Sequence, residues 1–570
     1  MGSNALSGRY QGCKAYNFPV VLNLFSYCVL PKRRFALSLG LTALFALFPA
    51  VYASAQAPAE DAYAAADRGR ILLVLPFDNR TGQPSLDWIR EAAADLLSTR
   101  FASAGFAPMT RADRMYALDH LGLPQGFQPS RASSLKLAQT LDADSIVVGS
   151  YSTDGTQIIA EAQLVDVPHL RMTAAVTTRG EMRDMISVFD SLAWKLTRQL
   201  DPSQHVAEET FIAAGAGLRL DAYEQYIRGI TEPDQSERLR HLQQAVNLSP
   251  GYSPAWMALG REEYQGQQYD QAVQAFAKVD RSGPDGLEAD FYRGLSLLFS
   301  GDYPQAAQAF AGIARILPLA EVVNNEGVAV SRQDRDGTAL FVQAASADPK
   351  TADYHFNLAV SLKRHGKTAA ALNELAQCLK LRPSDEEAQS LEAAWKTPTP
   401  VPAAMGSDQP AGADPLERIV RTFDAAAFRQ AAAMLDQMDA TGLAALSPRD
   451  RSLKLSVQAK GFLDRGLLLE AERLYQSAVA ADGQVAEAHL GLAEVRERTG
   501  DTGAARREAH AALELSPSAD AYLVLGRLDL ADNHLAEAKS DADDALKLDP
   551  ASQAGQELLR QVLARSGQSH

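Results

Sequence analysis

Apolar and polar positions change their period several times along this chain. Pro31-Lys32-Arg33-Arg34 precedes a continuous apolar run from Phe35 to Tyr52, followed by Ala53-Ser54-Ala55 and the polar Gln56-Ala57-Pro58. A basic cluster, an apolar core and an A-x-A site in that order predict a secretory signal peptide. The run is also about long enough to span a bilayer, but Pro49 and the A-x-A site favour cleavage near Ala55 over a retained anchor. Residues 1–55 are therefore expected as leader and signal. The mature protein would be periplasmic or secreted, with no stable membrane span.

A strand-length apolar run, Arg70 to Phe77, comes next and ends in the turn-rich Asp78-Asn79-Arg80-Thr81-Gly82. Leu86, Ile89, Ala93, Leu96, Leu97 and Phe101 recur at helical spacing. Further helices are predicted over about 111–121 and 132–141. Strands are predicted at Ser145–Tyr151, Gln157–Asp166 and Leu170–Thr178, with Asp154-Gly155 as a hairpin turn. A helix over Met182–Leu200 closes the segment. Early strands separated by helices and later strands joined by hairpins imply a mixed sheet with packed helices, an α+β domain. Asp78, Asn79 and Gly82 read as turn and cap residues.

From about residue 217 the pattern is helical and repeats. Pro250, Pro284, Pro318, Pro349 and Pro383 lie 34, 34, 31 and 34 residues apart. Trp256, Leu259, Gly260, Ala272, Phe276 and Pro284 keep the order and spacing of the tetratricopeptide repeat, which this region resembles. Leu358-Ala359, Ala371 and Leu375 occupy matching positions in a later unit. The register returns at Ala459, Ala471, Tyr475 and Ala478, then at Leu492-Ala493, Ala505, Ala512 and Pro517, and at Leu525-Gly526, Ala538, Ala545 and Pro550. Small residues let paired helices approach, the aromatic fills the gap to the next repeat, and proline stops the second helix. The expected organisation is an α+β domain over 69–200, an all-α superhelical array over 217–396, a proline-rich connector over 397–415 and a second array over 416–570. A helical pair at about 416–438 would open the second array, and a closing helix at 551–566 would end it. The unit near Gly229 is shortened, and the unit near Gly337 loses three residues. Gly215-Ala216-Gly217 reads as a linker.

The blocks LPFDNRTGQPSLDWI, AQTLDADSIVVGSY and IIAEAQLVD, over roughly 69–200, resemble the amino-terminal domain of TolB and its relatives. No run of short strands at propeller-blade spacing follows. The resemblance implies a protein-interaction domain of the bacterial envelope without carrying over TolB's own partners.

Charge narrows the partners. The chain holds 55 basic and 70 acidic residues, a net charge of −15. Its first 59 residues contribute five basic residues and no acidic one. An acidic chain with no basic tract after Arg34 repels phosphate backbones, so nucleic acid is not an expected partner. Of three cysteines, Cys13 and Cys28 lie in the leader, which leaves Cys378 as a small core residue without an internal disulfide. His365-Gly366-Lys367-Thr368 contains the G-K-T of a phosphate loop, but Ser361 stands where its first glycine belongs, and the stretch reads as an interhelical turn. Asp541, Asp543 and Asp544 read as a solvated helix face. The histidines are dispersed, and C-x-x-C, H-E-x-x-H and G-x-S-x-G are absent. Neither a catalytic, metal nor cofactor site is expected. An envelope hydrolase has no candidate nucleophile.

What remains is recognition. The first helix of each pair lines the concave side of such an array. The lining positions that recur in tetratricopeptide proteins, which this region resembles, select Met257, Arg261, Tyr264, Phe291, Leu295, Leu298, Phe356, Val360, Lys363 and Arg364 here. The competing reading for Phe291 and Leu298 is packing between repeats. Aromatic and aliphatic anchors with scattered cations suit an extended or helical peptide with an acidic component. The lysine-asparagine clamp of some tetratricopeptide proteins is absent, because Met257, Phe291, Asn324 and Phe356 hold its leading positions. The sequence thus points to an exported, noncatalytic scaffold that binds protein or peptide partners in the cell envelope. The alternative is an accessory factor of an envelope enzyme or secretion machine, acting through the TolB-like domain. Partner identity and oligomeric state are not encoded in any motif.

Overall fold

The structure is a computed structural model that describes residues 71–124, 130–397, 415–423 and 439–568. The expected signal segment and residues 398–414 of the connector lie outside the described residues. An amino-terminal mixed sheet with packed helices is followed by a tetratricopeptide superhelix in two arrays.

Seven strands form the sheet: β1 (Ile71–Val74), β2 (Asp78–Asn79), β3 (Ala107–Pro108), β4 (Ser145–Asp154), β5 (Gln157–Asp166), β6 (Arg171–Met172) and β7 (Val176–Glu181). β1 pairs in parallel with β3 and β4, and β2 in parallel with β4. β4–β5, β5–β6 and β5–β7 are antiparallel. The continuous apolar run has a direct cause, since Leu72 and Val74 enter the core under Trp88–Ser103 and Met185–Leu200, whereas Leu73 and Leu75 enter the core of Arg111–His120 and Arg131–Thr140. A strand covered on both faces cannot alternate with polar residues.

Asn79 acts as the expected turn residue. Its carboxamide oxygen accepts from the Thr81 amide at 2.9 Å and its Nδ2 donates to Gln83 at 3.0 Å, while Gly82 adopts φ +71°. The single strand expected over Leu170–Thr178 is divided. Val165 faces Met172, but Ala162 faces Val176, so the later side carries one extra residue. The bulge falls at Ala174–Ala175, opposite Gln163, and Thr173 flanks it, with its hydroxyl accepting from Leu164 N at 3.1 Å and its amide donating to Leu164 O at 2.9 Å.

The sheet domain is fused to the first array. Tyr223, on Leu220–Thr231, donates its hydroxyl to Ala92 O at 2.9 Å and to Asp95 at 2.8 Å. Tyr223, Ile227 and Leu242 share one core with Phe101 and Phe189. The supposed linker at Gly215 instead ends the helix Glu208–Gly215, packed on Asp190, which is itself paired with Arg100 at 2.6 Å. Only glycine fits there, since a Cβ would overlap the Asp190 carboxylate.

The first array contains the helix pairs Leu220–Thr231/Gln235–Leu248, Ser253–Gln265/Tyr269–Phe276, Gly286–Ser300/Tyr303–Ala314, Ala320–Ser331/Thr338–Ala347 and Ala352–Arg364/Thr368–Leu381, then Glu386–Lys396. The second contains Pro448–Asp464/Leu468–Ala481, Ala486–Thr499/Thr502–Leu515 and Ala519–Ala531/Leu535–Leu548, then Gln553–Gln568. Within the first array the aromatic of the second helix rests on a glycine of its own pair: Phe276 on Gly260, Phe310 on Gly294, Phe341 on Gly327. In the second array Tyr475 reaches Gly491 of the next repeat. The second array is anchored on the sheet domain's trailing helix. Glu472 accepts from Ala207 N at 3.3 Å, from the Thr210 hydroxyl, and from Arg496 at 2.7 Å.

Residues 415–423 depart from expectation. The helical pair predicted at about 416–438 is not helical over its described part. That part is an extended segment laid against the first array. Residues 424–438 lie outside the described residues.

Candidate peptide-binding groove

Three asparagines grip the extended segment by its backbone. Asn357 accepts from Arg418 N at 2.6 Å and donates to Arg418 O at 2.8 Å. Two residues on, Asn325 accepts from Val420 N at 2.9 Å and donates to Val420 O at 2.8 Å. Asn324 adds a bond to Arg418 O at 3.1 Å and accepts from Asn357 at 2.8 Å. A side-chain amide presents an N–H donor and a C=O acceptor side by side in one plane, so it matches the N–H and C=O of one residue as a neighbouring strand would. All three asparagines are buried. Such polar burial is tolerable because each amide is paired.

Side chains of the segment meet two charge pockets. Glu417, with no exposed side-chain surface, accepts from Ser331, from Arg332 at 3.1 Å and from Arg364. Burial alone would push its carboxyl up. The Ser331 hydroxyl and the guanidiniums of Arg364 and Arg332 outweigh this and hold it below the usual glutamate value. Arg418 faces the opposite chemistry, donating to Asp385 at 2.6 and 2.8 Å, to Asp353 at 2.9 Å and to Glu387 at 2.9 Å. Its guanidinium lies 3.6 Å from the Phe356 ring centroid, a cation–π contact. The Arg418 hydrogen bond holds the Asp385 carboxyl below the usual aspartate value.

The remaining contacts are apolar. Ile419, Val420 and Phe423 pack on the core of the third to fifth repeats. The Phe423 ring sits 5.6 Å from Phe291 and 6.3 Å from Tyr292. Arg421 stacks 5.0 Å from Phe299.

Of the ten positions expected to line the groove, Phe291, Phe356 and Arg364 meet at this segment. Arg364 also donates to Pro415 O at 2.7 Å. Met257, Leu295, Leu298 and Val360 do not line it. They are buried between helices, where they complete the packing of neighbouring repeats. Arg261 is engaged by Glu288 at 2.5 Å, Tyr264 by the rings of Tyr269, Tyr292 and Phe299, and Lys363 by Thr368 and Trp395. Sequence reading overlooked Asn325, Asn357, Asp353 and Asp385. The available signal was Asn325 and Asn357 themselves, poor helix formers at equivalent mid-helix positions of consecutive repeats.

The two motifs set aside on sequence lie in helical-repeat contexts. Gly366 is a positive-φ residue in the turn between Ala352–Arg364 and Thr368–Leu381, and Asp541–Asp544 lie within Leu535–Leu548, where Asp541 is half-buried beside Asp529 and not on a solvated face. Cys378 is buried against Phe356 and Leu375, and burial pushes its thiol up to about 11. Among the described residues, no helix is long and apolar enough to cross a membrane, and no group of three metal-ligating side chains converges.

The tetratricopeptide repeat family profile matches residues 257–321 and 457–520, so the chain carries tetratricopeptide repeats. No curated protein sequence matches the chain significantly. Among solved structures, the chain is similar to YrrB, a tetratricopeptide protein with an unusual peptide-binding site. The identity is 15%, over 36% of this chain and 99% of that one, with TM-score 0.27. It is similar to the LpoB C-terminal domain from Salmonella enterica at 20% identity, over 20% of this chain and 84% of that one, with TM-score 0.19. The second tetratricopeptide domain of human RPAP3, in complex with an HSP70 peptide, shows 23% identity over 20% of this chain and 97% of that one, with TM-score 0.19.

Proposed function

We propose that this protein is an exported, noncatalytic scaffold of the cell envelope whose first array receives partner proteins through an extended peptide. The observation that carries the reading is the bracketing of Arg418 and Val420 by Asn357 and Asn325, flanked by pockets of opposite charge. Backbone pairing supplies affinity for any extended chain, and the charge pockets and Phe291 supply selectivity. The acidic component expected from Arg364 corresponds to the position of Glu417. The pocket of Asp353, Asp385 and Glu387 adds a requirement for a neighbouring cation.

The order of Lys32-Arg33-Arg34, the apolar run and Ala53-Ser54-Ala55 supports export with cleavage near Ala55. The TolB-like blocks over 69–200 support an envelope interaction domain. Two measurements test the proposal. Amino-terminal sequencing of the exported protein should begin near Gln56. Affinity capture from envelope fractions should recover partners with the native chain and lose them with Asn325→Ala/Asn357→Ala. Partners retained by that variant but lost on deleting 69–200 would support the accessory-factor reading instead.

A further inference from the structure

We infer that residues 415–423 are a built-in ligand that a partner must displace. The displacing partner is an extended peptide carrying a Glu-Arg pair, with an aliphatic residue two positions after the arginine and an aromatic five positions after it. This inference rests on the groove reading above and adds the ligand's chemistry and its regulation.

Four observations separate a ligand from a permanent strap. The segment is held through its backbone by asparagine side chains and through charge pockets at its surface, as a bound strand is held. Leu416, Arg421 and Thr422 stay exposed and Ile419, Val420 and Phe423 are only partly buried, so the segment lies on the outside of the array's core. The repeats beneath keep helix-pair contacts of their own, with Phe310 on Gly294 and Phe341 on Gly327, that do not involve the segment. The second array has a separate anchorage at Glu472, so release of the segment leaves that array docked. On release, Asn324, Asn325 and Asn357 would open to water and keep their hydrogen bonds with solvent.

Tethering sets the strength of this competition. The segment is joined to the last helix of the first array by residues 397–414. A tether that short places the segment near its site at roughly millimolar effective concentration. An incoming peptide is weakened by the fraction of grooves left open, about tenfold or more for a self-ligand of moderate affinity.

The test uses the full chain and a fluorescein-labelled synthetic peptide of residues 415–423, read by anisotropy. Glu417→Ala/Arg418→Ala, which disables the internal copy, should bind the probe at least about tenfold tighter than the native chain. Adding Asn325→Ala/Asn357→Ala should abolish that binding. Arg418→Glu provides a second disabled copy, and far-UV circular dichroism verifies that each variant keeps its helices. Equal affinity for the native and disabled chains would overturn the displacement mechanism and leave the groove reading standing. Binding that survives the asparagine substitutions would place the probe elsewhere and overturn both. No binding to any folded variant would also overturn both.

Discussion

Asn325 and Asn357 stand at equivalent positions of adjacent repeats, and each brackets a different residue of one extended segment, Val420 and Arg418 respectively. The helical repeat is thereby converted into a strand-like ladder: successive first helices each bracket one residue, at the two-residue step of an extended chain. Replacing Asn325 by alanine leaves the Val420 N–H and C=O without that partner, and replacing Asn357 does the same for the Arg418 N–H, while Arg418 O keeps Asn324. Each substitution should weaken docking of the segment by about 1–3 kcal/mol. Hydrogen exchange at the Arg418 amide in Asn357→Ala, and at the Val420 amide in Asn325→Ala, should rise accordingly. Unchanged protection would mean that the asparagines do not hold the segment.

The glycines under the aromatic rings give a paired prediction. A Cβ on Gly294 would lie 2.8 Å from the Phe310 ring, so Gly294→Ala should destabilise the first array by about 1–3 kcal/mol through overpacking. Gly312, on the next helix, has open space on that side, with its nearest neighbour the Arg315 guanidinium at 3.9 Å. Gly312→Ala should stabilise by about 0.4–1 kcal/mol, because it restricts the unfolded chain without a clash. Urea midpoints that move in the same direction for both variants would contradict the packing argument.

These two features were unequally legible in sequence. The glycine–aromatic spacing is covalent bookkeeping along two joined helices, so Gly260, Phe276, Gly294 and Phe310 were readable at once. The doubly buried β1 was readable for the same reason, as an unbroken apolar run. Residues 415–423 were not. Leu416, Ile419, Val420 and Phe423 recur at helical spacing, and only contacts with residues 31 or more positions earlier, among them Glu387, Asn357 and Asn325, hold them extended. Asn325 and Asn357 each follow by one residue the clamp positions Asn324 and Phe356, which also touch Arg418. Met257, Leu295, Leu298 and Val360 share a periodicity with true lining positions, but spacing alone does not distinguish a helix flank facing a neighbour from one facing the groove.

Glu472 joins the second array to the helix Glu208–Gly215, and its side chain is fully buried against Thr210 and Arg496. Removing Glu472 leaves Ala207 N and the Thr210 hydroxyl without their buried acceptor and Arg496 with Asp501 alone, a loss of about 1–3 kcal/mol. Glu472→Ala should therefore undock the second array while leaving its helices formed. Hydrogen exchange at residues 208–215 should accelerate, with little change in far-UV circular dichroism. Slow exchange retained there would show that the anchorage lies elsewhere.

The second array should also respond to pH. Burial, with the neighbouring Asp529 and Asp544 adding to it against the opposing Arg506, raises the Asp541 carboxyl to about 7 from an ordinary 3.8. A carboxyl raised in the folded state favours folding when protonated, so its contribution is complete below the ordinary value and is lost as pH rises through about 7. Stability of the second array should increase as pH falls from 8 towards 5. Asp541→Asn should remove most of that slope and raise the unfolding midpoint at pH 8. A native chain with no slope in this window would refute the assignment.

The charge pockets of the groove carry the opposite sign. Asp385 is held below its ordinary value by the Arg418 hydrogen bond, and Glu417 by Ser331 and its two arginines against the cost of burial. Carboxyls lowered on docking stabilise the docked state above their free values and withdraw that support as pH falls through the docked values. Docking of 415–423 should thus be complete at neutral pH and weaken below about 4, the ordinary carboxylate range. Asp385 also caps the helix Glu386–Lys396 through Ala388 N at 3.1 Å, so the informative substitution is Asp385→Asn, which keeps an acceptor for the cap. Arg418→Ala and Asp385→Asn should each reduce protection of the Val420 amide. Combined, they should reduce it by less than the sum, because both remove one charge-assisted contact, normally about 1.5–3 kcal/mol. Additive losses in that cycle would mean that Arg418 is held by Asp353, Glu387 and the Phe356 ring, with Asp385 serving the helix cap alone.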